Sequence, residues 1–169
     1  RTPNPEPRTP SIMLHLAVDL GDKRTGLATG DDALALATPL DVIETPIDRD
    51  EGRALLDAIA RAADDALGRA SADTPATNLA PIVLGLPLNM DGTEGARAKT
   101  TRAFARRLAV RTGRAVHLID ERLTSEAANA RMARTGLTHR QKKQRRDAIA
   151  AALLLQAFFD VAAPIDTVE

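Results

Sequence analysis

The pattern of apolar and polar positions divides the chain into short strands and longer helices. Residues 12–19 alternate with the two-residue period of a β-strand, and Asp19 stands at the end of that strand. Glycines 21 and 26 follow and predict a tight turn. Residues 26–30 and 33–44 are predicted as the next two strands, the third with an irregular edge at its proline. The chain therefore begins with three antiparallel strands.

In the rest of the chain, segments with the spacing of helices alternate with two further short apolar segments that are predicted as strands. A glycine at position 113 is expected to end the second helix. The order βββαβαβαα predicts an α/β fold with a mixed five-stranded sheet flanked by helices. The predicted strands lie at residues 82–86 and 114–119, and the predicted helices at 50–67, 93–111, 124–135 and 147–161.

Length and composition limit the number of domains and the kinds of binding surface that the chain can form. The 169 residues are enough for one core, expected over residues 12–163, after a disordered proline-rich tail at residues 1–11. Three Phe and neither Tyr nor Trp argue against recognition of single-stranded bases by rows of stacking aromatic side chains. Lys and Arg together number 23, as do Asp and Glu, so any basic binding surface must be local.

The chain has no cysteine, which excludes disulfides, thiolate metal sites and cysteine nucleophiles. No run approaches the roughly 20 apolar residues of a membrane helix. The N-terminus is rich in proline and does not have the pattern of a signal peptide. We therefore expect a soluble intracellular protein without a membrane partner.

Three carboxylates occupy positions suited to metal chemistry. Asp19 and Glu121 each follow a strand, and Asp147 lies in the first turn of the last helix, on the stripe that faces the sheet. Oxygen ligands without thiolates favour Mg²⁺ or Mn²⁺, and such clusters hydrolyse phosphodiesters. Singly, Asp147 is also explained by the helix dipole and Glu121 by a surface ion pair. The residues alone leave both interpretations open.

Basic residues are concentrated in two places. The helix at residues 93–111 has a face rich in arginine, and the loop at residues 139–146 places five Lys or Arg directly before Asp147. The helix face is explained by solvation alone. The two regions together would hold a polyanion over the acids, with an affinity that depends on salt and little on sequence.

Four segments, in order, resemble the YqgF or RuvX family of ribonuclease-H-like proteins. They are VDLGDKRTGLATGD at 18–31, LGLPLNMDGTEGARA at 84–98, IDERLTSEA at 119–127 and RDAIAAALLLQAFF at 146–159. The family is described as Holliday junction resolvases and as nucleases that mature the 5′ end of 16S ribosomal RNA. The resemblance implies a ribonuclease-H-like fold, a nuclease dependent on Mg²⁺ or Mn²⁺, and a bacterial cytoplasmic location.

Carried over by position, the resemblance implies that Asp19, Glu121 and Asp147 are the catalytic and metal-binding acids. Asp120 competes with Glu121, because neighbouring strand residues point to opposite faces, and Asp91 is a further candidate ligand. Residues in or beside the matching motifs are expected to contact the nucleic acid: Arg24, Asn89, Arg97, Arg122, Lys142 and Lys143.

Three functions compete at this point. The first is a metal-dependent endonuclease on structured nucleic acid, with ribosomal RNA precursor ahead of branched DNA. The second is a binding module that uses the same basic loop and does not cut. The third, a phosphotransferase, is raised because sugar kinases and actin-like ATPases share an Asp-x-Gly hairpin, but they use two such domains. Monomer and homodimer both stay open, and symmetric junction resolution would need two active sites.

Overall fold

The computed structural model describes residues 13–69, 74–75, 78–123, 146–161 and 164–169. The predicted tail at 1–11, the predicted helix at 124–135 and all but the last residue of the basic loop at 139–146 lie outside these ranges. The strands are Leu14–Leu20 (β1), Thr25–Asp31 (β2), Leu36–Ile43 (β3), Ile82–Leu86 (β4), Val116–Asp120 (β5) and Asp166–Val168 (β6). The helices are Arg53–Leu67 (α1), Ala96–Thr112 (α2) and Arg146–Val161 (α3).

The described strands form one mixed sheet in the order β3-β2-β1-β4-β5-β6. The first three strands are antiparallel, and β4 and β5 run parallel to β1. The α/β class and the antiparallel start are therefore confirmed. The predicted count of five strands is wrong, because β6 pairs with β5 through Val116 and Val168. This strand has three residues, too few for an alternating pattern, and lies beyond residue 163, where the predicted domain ends.

Two apolar layers cover the faces of the sheet. Leu16 and Val18 of β1 pack in the layer formed with α1 and α2. Ala17 of β1 and Ile119 of β5 pack in the other layer, with residues of α3. Because side chains alternate along a strand, Asp19 lies on the same face as Ala17 and therefore on the side of α3.

Two helices begin later than the sequence pattern predicts. Asp50 and Glu51 have φ angles of 52° and 54°, which a right-handed helix does not allow, so α1 begins at Arg53. The second helix begins at Ala96, after a loop in which the carboxylate of Asp91 accepts the backbone N–H and the hydroxyl of Thr93. Gly113 ends α2 in the left-handed conformation, as predicted. In the described part of the chain, no helix has the length and apolar character to cross a membrane.

Candidate active site

Three acidic residues lie where β1 and β5 end and α3 begins. Burial raises the pKa of Asp19, and the negative charge of Asp147 raises it further. Burial also raises the pKa of Glu121, with the charge of Asp19 as the next cause. Asp19 therefore interacts electrostatically with both of the other acids, although the three come from distant parts of the chain.

Two glycines make room for these acids. Gly26 of β2 pairs with Asp19, and a Cβ at Gly26 would overlap the backbone carbonyl of Asp147. The first turn of α3 can therefore approach the sheet only because position 26 lacks a side chain. At Gly85 of β4 a Cβ would lie 2.8 Å from Oε1 of Glu121. Gly26, predicted from the sequence as part of the turn after Asp19, thus allows α3 to pack beside the acids.

Arg24 contacts the acid from α3. Its Nε lies 2.8 Å from Oδ2 of Asp147, and its Nη1 lies 3.8 Å from Oε1 of Glu44. The side chains of Arg24 and Asp147 are 40% and 30% exposed, although the Nε atom of Arg24 is itself buried. The guanidinium is therefore close enough to the acids to meet a phosphate that approaches them.

Arg97 supplies positive charge from the first turn of α2. It donates to the carbonyl oxygen of Leu20 over 3.3 Å, and its Nη1 lies 3.3 Å from Oδ1 of Asp22. Its charge lowers the pKa of both Asp19 and Glu121, against the larger effect of burial. Arg97 thus offsets part of the negative charge of the site while more than half of its side chain stays exposed.

Asp120 and Glu121, which the sequence could not separate, have different environments. Asp120 follows the parity of Leu118, which packs towards α1 and α2. Hydrogen bonds from the side chain of Arg122 are the largest cause that lowers the pKa of Asp120. Its carboxylate accepts the Arg122 backbone N–H at 2.9 Å and the guanidinium Nη2 at 2.6 Å. The geometry therefore favours Glu121 as the acid that faces Asp19.

Arg122 also fixes the loop that follows β4. Its Nη1 donates to the carbonyl oxygens of Asn89 and Met90 at 2.9 and 3.1 Å. The side chain of Asn89 in turn donates to the hydroxyl of Thr93 at 2.9 Å. Both residues were predicted to contact nucleic acid, which stays a prediction, and both have contacts within the protein. No pattern in the sequence indicates this clamp, because an Asp-x-Arg spacing alone does not show where the guanidinium points.

The basic face of α2 is largely paired within the protein. Arg102 contacts Glu94 and Asp166, Arg107 donates to the backbone carbonyl of Glu51, and Arg111 contacts Asp57. This favours the explanation of that face as structural over a phosphate-binding role. Lys142 and Lys143 lie outside the described residues.

The acids fit a hard divalent cation by chemistry, since carboxylate oxygens are the donors that Mg²⁺ and Mn²⁺ prefer. Among the residues that the structure describes, no three His, Cys, Asp or Glu side chains form a ready ligand group. Asp147 is turned to Arg24 at 2.8 Å. A shared cation would therefore compete with Arg24 for this carboxylate.

Comparison with known proteins identifies the family of this chain. The sequence model of the RuvX family, described as Holliday junction resolvase, matches residues 13–161. The chain belongs to the RuvX family. A relative from Anaeromyxobacter sp. (strain Fw109-5) is 40% identical over 148 residues, covering 88% of this chain and 97% of its own. A relative from Thiobacillus denitrificans is 41% identical over 145 residues, covering 86% and 90%. Both are named "Putative pre-16S rRNA nuclease".

A solved structure shows the same fold at lower sequence identity. It is RuvC of T. thermophilus in complex with a Holliday junction substrate, with a TM-score of 0.54 and 16% identity. The match covers 90% of this RuvX-family chain and 98% of the RuvC chain. The predicted ribonuclease-H-like fold and the predicted family are therefore confirmed.

Proposed function

We propose that this RuvX-family protein is an endonuclease that uses Mg²⁺ or Mn²⁺ to hydrolyse phosphodiester bonds in structured nucleic acid. Its substrate in this proposal is the 5′ region of the 16S ribosomal RNA precursor. The relatives that carry this name are similar over nearly their whole length, which supports the proposal. A cytoplasmic location, and action as a monomer or homodimer, stay predictions.

The observation that carries the proposal is the electrostatic coupling of the acids. Asp19 and Glu121 have raised pKa values because both are buried and because Asp19 lies near the other carboxylates. A protein gains no stability from negative charges gathered in this way unless a cation accompanies them. Arg97 offsets the charge only in part. A divalent cation is the partner that such a group of carboxylates binds.

The residues of the site divide into two roles in this proposal. Asp19, Glu121 and Asp147 would hold the metal, which when bound supplies activation of water and stabilisation of the leaving oxygen. Arg24 and Arg97 present guanidinium groups beside the acids and would bind the phosphates on either side of the scissile bond. Arg122 acts through Asp120 and the loop after β4, and is a positioning residue.

Cleavage of a ribosomal RNA precursor fragment tests this function. The unmodified protein should cut it in Mg²⁺ or Mn²⁺, and Asp19→Asn or Asp147→Asn should abolish cutting without lowering the Tm. Asp65→Asn is the matched control, because Asp65 is an exposed residue of α1, on the other side of the sheet. Full activity in both site variants would refute the assignment.

Branched DNA is the second candidate substrate, because the family model is described as Holliday junction resolvase. A four-way DNA junction and the RNA fragment should therefore be assayed side by side. Faster cleavage of the RNA supports the first candidate, whereas paired symmetric cuts in the junction alone support the second. Metal-independent binding without any cleavage would instead indicate a binding module.

A further inference from the structure

Met90 is the most exposed large apolar residue that the structure describes. Its side chain is 93% exposed, in the loop of residues 87–95 between β4 and α2, called here the Met90 loop. Single exposed apolar residues are common on protein surfaces and need no explanation by themselves. Met90 differs from other exposed apolar residues in its position and in the rigidity of its loop.

The Met90 loop is held in one shape by several hydrogen bonds. Asn89 and Thr93 are joined by a backbone bond of 2.9 Å and a side-chain bond of 2.9 Å. The backbone N–H of Gly92 donates to the carbonyl of Asn89 at 2.9 Å. Arg122 donates to the carbonyl of Met90 at 3.1 Å. The backbone is thus fixed on both sides of a side chain that contacts solvent.

The loop lies at the same end of the sheet as the acids. It follows β4, and the neighbouring parallel strands β1 and β5 lead to Asp19 and Glu121. Arg122, which holds the carbonyl of Met90, is the residue directly after Glu121. Met90 therefore lies at the end of the sheet where the acids lie.

No Phe, Tyr or Trp side chain is available to contact a base at this end of the sheet. Phe104 is buried in the core between the sheet and α2. Phe158 and Phe159 contact His15, near the start of β1 and at the opposite end of the sheet from the acids. These are all the phenylalanines of the chain, which has neither Tyr nor Trp.

We propose that Met90 contacts an unstacked nucleobase of the substrate beside the scissile phosphate. Methionine is among the apolar side chains that insert between bases, and its sulfur packs favourably on aromatic rings. The substrate would then have unpaired or easily unstacked nucleotides at the cleavage position. This inference rests on the proposed nuclease function and adds to it a preference for local structure.

The test compares two RNA substrates with the same cleavage position, one with unpaired nucleotides there and one fully paired. Met90→Ala should raise the KM for the unpaired substrate by about 3- to 10-fold and leave that for the paired one unchanged. Met90→Leu, which keeps a large apolar side chain, should have a KM for the unpaired substrate close to that of the unmodified protein. Leu34→Ala is the matched control, since Leu34 is 72% exposed in the β2–β3 turn at the far end of the sheet. Unchanged kinetics for Met90→Ala, or equal losses on both substrates, would overturn the inference.

A binding measurement separates this inference from the nuclease proposal. The Asp19→Asn protein is mixed with RNA that has 2-aminopurine beside the cleavage position, and fluorescence reports loss of stacking. We expect fluorescence to rise when the Asp19→Asn protein binds, and to rise less when the double variant Asp19→Asn/Met90→Ala binds. An equal rise in both proteins contradicts the contact, whether or not the unmodified protein cleaves. Absence of cleavage by the unmodified protein contradicts only the nuclease proposal.

Discussion

The Nε of Arg24 lies 2.8 Å from the Oδ2 of Asp147, so the turn after β1 is joined to the first turn of α3 by an ion pair. The pair connects a residue predicted to bind nucleic acid with one predicted to bind metal. Metal and arginine cannot both have the full use of the same carboxylate. Substrate phosphate, in turn, offers the guanidinium another anion.

Replacing Arg24 should therefore favour metal binding and disfavour substrate binding. Arg24→Gln is expected to tighten Mn²⁺ binding about two- to fivefold, the range of a partly exposed ion pair. The same variant should raise the KM for nucleic acid, because a phosphate contact is lost. Titration of Mn²⁺ followed by electron paramagnetic resonance measures the first effect. Arg53→Gln, which breaks the exposed pair with Glu51, is the control and should change neither quantity. Weaker Mn²⁺ binding in Arg24→Gln would contradict this account.

The raised pKa of Asp19 makes a prediction about stability and pH without metal. An acid whose pKa is higher in the folded than in the unfolded state stabilises the fold when protonated, and this contribution is lost as the pH rises through the folded pKa. Metal-free Asp19→Asn should therefore have a higher Tm than the unmodified protein at neutral pH. The difference should shrink as the pH falls below the raised pKa.

Thermal unfolding in a chelator, at several pH values, measures this difference. Asp65→Asn should follow the unmodified protein at every pH. Added Mn²⁺ should raise the Tm of the unmodified protein more than that of Asp19→Asn, because a ligand stabilises the state that binds it. A Tm for Asp19→Asn below that of the unmodified protein at neutral pH would show that the charge of Asp19 does not destabilise the folded protein.

Gly85→Ala should separate catalysis from folding. A Cβ at position 85 would come within 2.9 Å of the Cγ of Glu121, and the flexible acid can move aside. We expect a cleavage rate lower by about tenfold or more, since small displacements of a catalytic group are costly, with little change in Tm. Shortening the acid in Gly85→Ala/Glu121→Asp should recover part of the rate. Normal cleavage by Gly85→Ala would mean that the position of Glu121 is not critical.

Arg122→Ala tests the clamp on the Met90 loop. The variant leaves the nearly buried carboxylate of Asp120 without its guanidinium partner and frees the carbonyl oxygens of Asn89 and Met90. We expect a lower Tm, faster hydrogen exchange in the loop, and a reduced cleavage rate with nearly unchanged Mn²⁺ affinity. A loss confined to KM, with unchanged loop protection, would instead support the predicted contact between Arg122 and nucleic acid.

Alternating apolar residues make most of the fold predictable, because each buried strand face must match a helix. The two-residue period by itself puts Asp19 on the face opposite Leu16 and Val18, and the apolar stripe of α3 turns Asp147 towards the sheet. The start of α1 is not predictable, because Asp50 and Glu51 adopt positive φ angles, which non-glycine residues rarely do. The strand β6 has no pattern of its own and depends on pairing with β5.

The partners of the charged residues are less predictable than the strands. Nothing in the spacing of Arg24 and Asp147 shows that they meet, since their contact depends on how α3 packs beside Gly26. The alternation rule states that Asp120 and Glu121 face opposite sides, but the assignment needs the contacts with Arg122 and Gly85. Long side chains reach several positions, so their partners follow from the fold.

The central claim is that Asp19, Glu121 and Asp147 bind one cation or a pair of cations together. Mn²⁺ binding by the unmodified protein, Asp19→Asn, Glu121→Gln, Asp147→Asn and Asp120→Asn tests this most directly. We predict that each of the first three variants weakens binding by about tenfold or more and that Asp120→Asn retains it. Unchanged affinity in Asp19→Asn and Glu121→Gln, or loss in Asp120→Asn with retention in Glu121→Gln, would contradict the account.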